Sequence, residues 1–363
     1  MKLANAASPL VSAVAFILFL AGPLPTFADE VNGRKTETKL SVEQAWELVS
    51  AGEHAKAEQA ADQLLEEAIS NSDMEYEYKA LNLKIALQYI QNKYTPKVLR
   101  KEQRLEAIAL HLGDEERIAA VSNNLGYDLL VAGKAPVADI IPRMERANAY
   151  YAKKEKGDGR WYTLMNLNWA HRLAGNLPAS RDYGLKSVKT AKAIKDRHAI
   201  IETCINLAET LMLEGKQEEA GKYFAKAKKY ADQQADRDKH VFDVYYARYL
   251  LADKQIVGAI ELLKAAIPAL QDVEIFYAAL GQAILAEAMY AADEVAAAEG
   301  LADAVMQATD KFVSRDAIVL ASLVKAKVLK HRGQDVDAAR LLDAMREELA
   351  PFASPLLNDM LQS

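Results

Sequence analysis

The chain has 363 residues, of which 51% are apolar and 26% charged, a balance that excludes a disordered protein. Its net charge is -6, and a single cysteine, Cys204, excludes both an internal disulfide and a thiolate metal cluster. Only 10 prolines and 16 glycines interrupt a composition rich in Ala, Leu, Glu and Lys, which favours helix because these side chains lose little rotamer freedom there.

The first segment differs from the rest. Lys2 precedes an apolar run from Leu10 to Ala21, and Thr26-Phe27-Ala28 offers small residues at the two positions a signal peptidase reads. The run of 12 residues is short of the roughly 20 a membrane span needs. Residues 1–28 are therefore expected to be a signal peptide cut after Ala28, leaving an exported, periplasmic chain of net charge -7 with no stable membrane span. Residues 29–37 read as a flexible polar lead-in.

From residue 38 to 350 a period appears. A turn marker is followed five residues later by a small residue: Gly52 by Ala57, Gly133 by Ala138, Gly215 by Ala220 and Gly333 by Ala338. Gly175 has Ser180 there, Asp253 has Gly258, Ala292 has Ala297, and Asn92 fills the remaining slot weakly, with Lys97 after it. Successive markers lie 38 to 42 residues apart, a spacing typical of stacked repeats. Each period predicts two amphipathic helices around a short turn, as in 199–213 and 218–234. The small residues mark close helix crossings: Ala208 and Ala220 within a pair, Ala227 toward the next pair, with Phe224 filling the space between. Residues 351–363 are expected to cap the last apolar face through Leu356, Leu357 and Met360.

Residues 201–234 resemble a tetratricopeptide repeat (TPR), with Leu207, Ala208, Leu211, Gly215, Ala220, Phe224 and Ala227 at that family's spacing. Leu125, Gly126, Gly133 and Ala138 match in a second stretch, and Ala326, Gly333, Ala338 and Leu342 in a third, followed by Pro351. Units of about 40 residues are similar to the family's longer-helix branch. The resemblance implies an all-α, right-handed superhelical solenoid of about eight antiparallel helix-turn-helix repeats. It also implies that first helices line the concave face and second helices the convex one.

On that face Asn124, Asn166 and Asn206 share one slot, nine residues before their markers. Such a ladder resembles one that binds an extended peptide backbone, since an amide offers both donor and acceptor; the alternative is that each asparagine ties its helix to a neighbour. Three hydrogen bonds of about 0.5–1.5 kcal/mol each give only millimolar-class binding, so anchors are required. Tyr127 and Trp169 lie three residues beyond two of the asparagines, and Arg172 can receive a carboxylate. For Trp169 a place in the core is the alternative.

Residues 93–230 carry a net charge of +8 against -14 for the rest. The excess lies on second helices (Lys186, Lys189, Lys192, Lys222, Lys226, Lys228 and Lys229) and reads as a solvated convex face. Export argues against nucleic acid as a ligand. HExxH and GxSxG motifs are missing, no histidine pair has helical metal spacing, and 154–161 (KEKGDGRW) reads as a polar connection between repeats. Cys204 lies in an apolar run and reads as a buried hydrophobe. The expectation is a non-enzymatic scaffold without cofactor or metal that holds a protein or extended peptide in its groove and is compatible with self-association. The alternative is a small-ligand or peptide sensor reporting to a membrane receptor.

Overall fold

The computed structural model describes residues 40–91, 98–154, 157–308 and 313–362. The expected signal peptide, the lead-in and the weak marker Asn92 lie outside the described residues. Among the described residues every regular element is an α-helix, and they form eight consecutive pairs followed by a last short helix. The pairs are α1 (Val42–Ser50) with α2 (His54–Ser70), α3 (Met74–Ile90) with α4 (Val98–Leu112), and α5 (Glu115–Ala132) with α6 (Val137–Lys153). Next come α7 (Gly157–Leu173) with α8 (Leu177–Ile194), α9 (Arg197–Leu213) with α10 (Gln217–Ala231), and α11 (Arg237–Ala252) with α12 (Ile256–Leu270). Then α13 (Ile275–Ala291) pairs with α14 (Val295–Gln307), and α15 (Arg315–His331) with α16 (Asp335–Leu349), before α17 (Pro355–Met360). No helix among the described residues is long and apolar enough to cross a membrane.

Two compact units divide between Val121 and Ser122. The first holds α1–α4 and the opening of α5. Its core is built by Trp46, Leu64, Leu83 and Leu87 with the small Ala45, Ala57, Ala60 and Ala61 between them. Arg117 pairs with Glu75, and Arg104 grips Glu77 through two nitrogens, tying α5 and α4 to α3.

The second unit carries the pattern in its fullest form. Asp196 caps α9 by accepting a hydrogen bond from the Ala199 amide at 2.7 Å. Gly215 ends that hairpin's first helix with φ +73°, a conformation that costs glycine nothing. Ala208, Ala220, Phe224 and Ala227 are all fully buried. At Gly126 a Cβ would stand 3.0 Å from Cε of Met144, so α5 and α6 meet at that glycine.

Three local expectations are corrected. The left-handed turn residue is Lys254 (φ +61°), not Asp253, and Asp293 (φ +66°), not Ala292. Counting from these, the small residues five on are Ala259 and Ala298, both fully buried. Ala138 is exposed: α6 starts only at Val137, after Pro136, so the turn is two residues longer than the one after Gly215 and Ile140 takes the buried slot. Residues 157–161 open α7 instead of belonging to a connection.

The C-terminal helix α17 lies against α7 and α15. The Val137 amide donates to the Phe352 carbonyl at 3.0 Å, Arg315 Nε to the Ala132 carbonyl at 3.0 Å, and Ser354 Oγ to the Leu173 carbonyl at 2.8 Å. The last elements of the second unit are thereby fastened to its first ones.

Candidate functional site

The first helices of six successive pairs, α5, α7, α9, α11, α13 and α15, each contribute to one cavity of about 30 Å³ inside the second unit. That volume holds about two or three waters. Convergence follows from the pairing, because the second helices α8, α10, α12 and α14 stand between successive first helices and displace them toward one side.

Of the residues expected from sequence, Tyr127, Asn166, Trp169, Arg172 and Asn206 line the cavity. Asn124 does not; it lies beside Asn123, which is fully buried. Asn166 Nδ2 donates to Asn123 Oδ1 at 3.2 Å, and Asn206 Nδ2 to the Glu202 carbonyl of its own helix at 3.0 Å. Trp169 is 8% exposed and sits in an aromatic wall. Its ring lies 5.8 Å from Tyr127 and edge-on to Phe276 at 6.4 Å.

Glu202, Tyr245, Phe276, Tyr277 and Asp316 also line the cavity and were missed. Tyr245 occupies the asparagine slot once the turn is counted from Lys254, so a corrected register would have found it. Asp316 lies in the first turn of α15 and carries no such signal.

The electrostatics are uneven. Arg237 is fully engaged: it donates to Glu202 at 2.8 Å and Glu274 at 3.0 Å and lies over the Tyr277 ring at 5.1 Å. Arg248 reaches Glu209 Oε2 at 2.7 Å. Arg172 is different. It is 6% exposed, and its hydrogen bond runs from Nη1 to the Asn206 carbonyl at 3.0 Å, with no carboxylate in ion-pair reach among the described residues. Burial lowers its affinity for the proton, with Glu209, Tyr245 and Asp316 opposing. Asp316 Oδ1 and Glu209 Oε1 are buried without a hydrogen-bond partner. Burial holds the phenols of Tyr127, Tyr245 and Tyr277 well above their ordinary range, so they are neutral donors at physiological pH.

Other groups are structural. Asn168 Nδ2 donates to the Ser180 carbonyl at 2.8 Å and Thr210 Oγ1 at 2.9 Å, locking α7, α8 and α9 together. Cys204 is fully buried, and burial pushes its thiol up to about 11. On the second helices Lys186, Lys222 and Lys228 pair with acids four residues away. Among the described residues no group of three His, Cys, Asp or Glu gathers as a metal site.

No family model and no curated protein matches the chain. Solved structures do. The apo form of the quorum sensor NprR from B. thuringiensis is 13% identical, covers 85% of this chain and 86% of its own, and has a TM-score of 0.57. A Rap protein complexed with Competence and Sporulation Factor is 12% identical over 85% of this chain and 97% of its own, with a TM-score of 0.52. A putative kinesin light chain of Podosopora anserina with nearly identical TPR-like repeats is 18% identical over 52% of this chain and 93% of its own, at a TM-score of 0.39. Consecutive helix pairs, left-handed turn residues within the pairs spaced 39 to 42 apart from Gly133 to Gly333 and the likeness to NprR and Rap together give this chain the TPR-like helical-repeat fold.

Proposed function

We propose that this chain is a non-catalytic binding protein that takes a small polar ligand into the cavity of its second unit and reports it to a protein or peptide partner. One observation carries the reading: six first helices converge on a cavity whose Arg172 keeps most of its donors free. A guanidinium held this way, among aromatic rings, suits recognition of a planar anion. NprR, described as a quorum sensor, and Rap, complexed with Competence and Sporulation Factor, make ligand-linked reporting a natural use of the fold. Export, with cleavage after Ala28, belongs to the same proposal.

A second reading is a scaffold or adaptor that holds a protein or extended peptide along the inner face. Asn166 and Asn206 side by side on the cavity favour it. A thermal-shift screen of metabolites and short peptides separates the two. At about 100 times Kd a ligand adds roughly 2.7 kcal/mol, or roughly 5–11 °C for a domain of 150–250 residues. A shift by metabolites supports sensing, and a shift by peptides alone supports the scaffold. No shift from either class would refute both.

A further inference from the structure

Resting on the small-ligand reading, we propose that the cavity binds the head group of a free α-amino acid, with its carboxylate on Arg172 and its ammonium on Asp316 beside the aromatic wall. Opposite charges face this cavity without pairing to each other: among the described residues Arg172 hydrogen-bonds to the Asn206 backbone carbonyl, and Asp316 Oδ1 has no hydrogen-bond partner. A buried polar group left in that state favours any ligand that supplies the missing bond.

The chemistry narrows the class. A simple monoanion answers Arg172 and leaves Asp316 facing a second negative charge. A simple amine does the reverse. A phosphate brings its charge close to Asp316 and Glu202. A peptide terminus carries one of the two charges, its counterpart lying at the far end of the chain. A small zwitterion answers both sides, and one with both groups on one carbon is the most compact. Space agrees, since room for two or three waters amounts to roughly 60–90 Å³ of liquid volume, enough for an ammonium, an α-carbon and a carboxylate. Trp169, Tyr127 and Phe276 offer ring surface, which attracts an ammonium.

Isothermal titration of the purified chain tests the proposal, with glycine and L-alanine as probes and acetate and methylamine as half-ligands. Glycine or L-alanine is expected to bind at least about tenfold more tightly than either half-ligand. R172Q is expected to weaken glycine and acetate alike by about tenfold or more, while D316N weakens glycine by a similar factor and leaves acetate unchanged or improved. Circular dichroism establishes that each variant is folded, and R172K, which keeps the charge, serves should R172Q unfold. Equal binding of acetate and glycine, or unchanged glycine binding by folded D316N, would overturn the proposal. So would no amino-acid binding up to about 10 mM, weaker than the millimolar class. If amino acids fail while another small molecule stabilises the chain, the small-ligand reading survives and this assignment falls; if nothing binds, both fall.

Discussion

Ala138 and Ala220 occupy the same place when counted from their turn glycines, yet one is exposed and the other fully buried. Replacing each with leucine therefore isolates packing from sequence position. In A220L three added carbons enter the crossing of α9 and α10, where Ala208 and Phe224 are also fully buried. Overpacking of this kind costs roughly 1–3 kcal/mol. For a unit spanning Ser122–Ser363, that corresponds to a melting-temperature drop of roughly 2–12 °C. In A138L the added carbons project from the second residue of α6 into solvent, so the change stays within about 0.5 kcal/mol. Urea unfolding followed by circular dichroism, reading midpoint and slope together, checks both. Equal losses in the two variants, or a neutral A220L, would refute the claim that small residues are required by helix crossings and not by the repeat as such.

R237M removes the cation shared by Glu202, Glu274 and Asp238 and is expected to cost about 3–5 kcal/mol; adding E202Q should recover part of that loss in a urea series. K254G relieves a left-handed non-glycine residue and is expected to stabilise by about 0.5–1 kcal/mol, read as a raised urea midpoint. His198 and His171 of the second unit act oppositely on pH. Burial is the strongest influence on His198 and works against its protonated form, but the Asp238 hydrogen bond and the negative charges of Glu202 and Asp238 together outweigh burial and the nearby Arg237 and so raise the proton affinity. Its stabilisation is thus complete below about pH 6.5 and fades as pH rises through the folded value. His171 is depressed by burial, with Glu145 opposing, so its contribution is lost as pH falls below about 6.5. Unfolding midpoints between about pH 5 and 9 should flatten on the alkaline side in H198N and on the acid side in H171N.

The pairing of helices was legible because its physical requirement is local. A turn glycine and a small residue five on are enough to announce a hairpin, and Gly52, Gly175, Gly215 and Gly333, followed by Ala57, Ser180, Ala220 and Ala338, do so. The reading slipped where another residue took the left-handed position, as Lys254 and Asp293 do, and where Pro136 lengthened a turn. Those slips hid Tyr245 by a single position. The site was legible only in part: Asn166 and Asn206 share a slot in neighbouring pairs, and Trp169 and Arg172 follow Asn166 at helical steps on α7. Tyr277 and Asp316 reach the same cavity from more than seventy residues beyond Asn206. Their arrival depends on small rotations summed over several pairs, a quantity no single repeat encodes.

The bonds from Val137 to Phe352, Arg315 to Ala132 and Ser354 to Leu173 leave the second unit without a loose end. Repeat arrays ordinarily fray from their termini, one nearest-neighbour contact at a time. Here the terminal helices are buckled to the opening ones, so amide exchange in α7 and α17 should slow together and accelerate together when Ser354 or Phe352 is lost. The reach of such a clasp extends to the cavity, whose walls α7 and α15 are the helices it fastens.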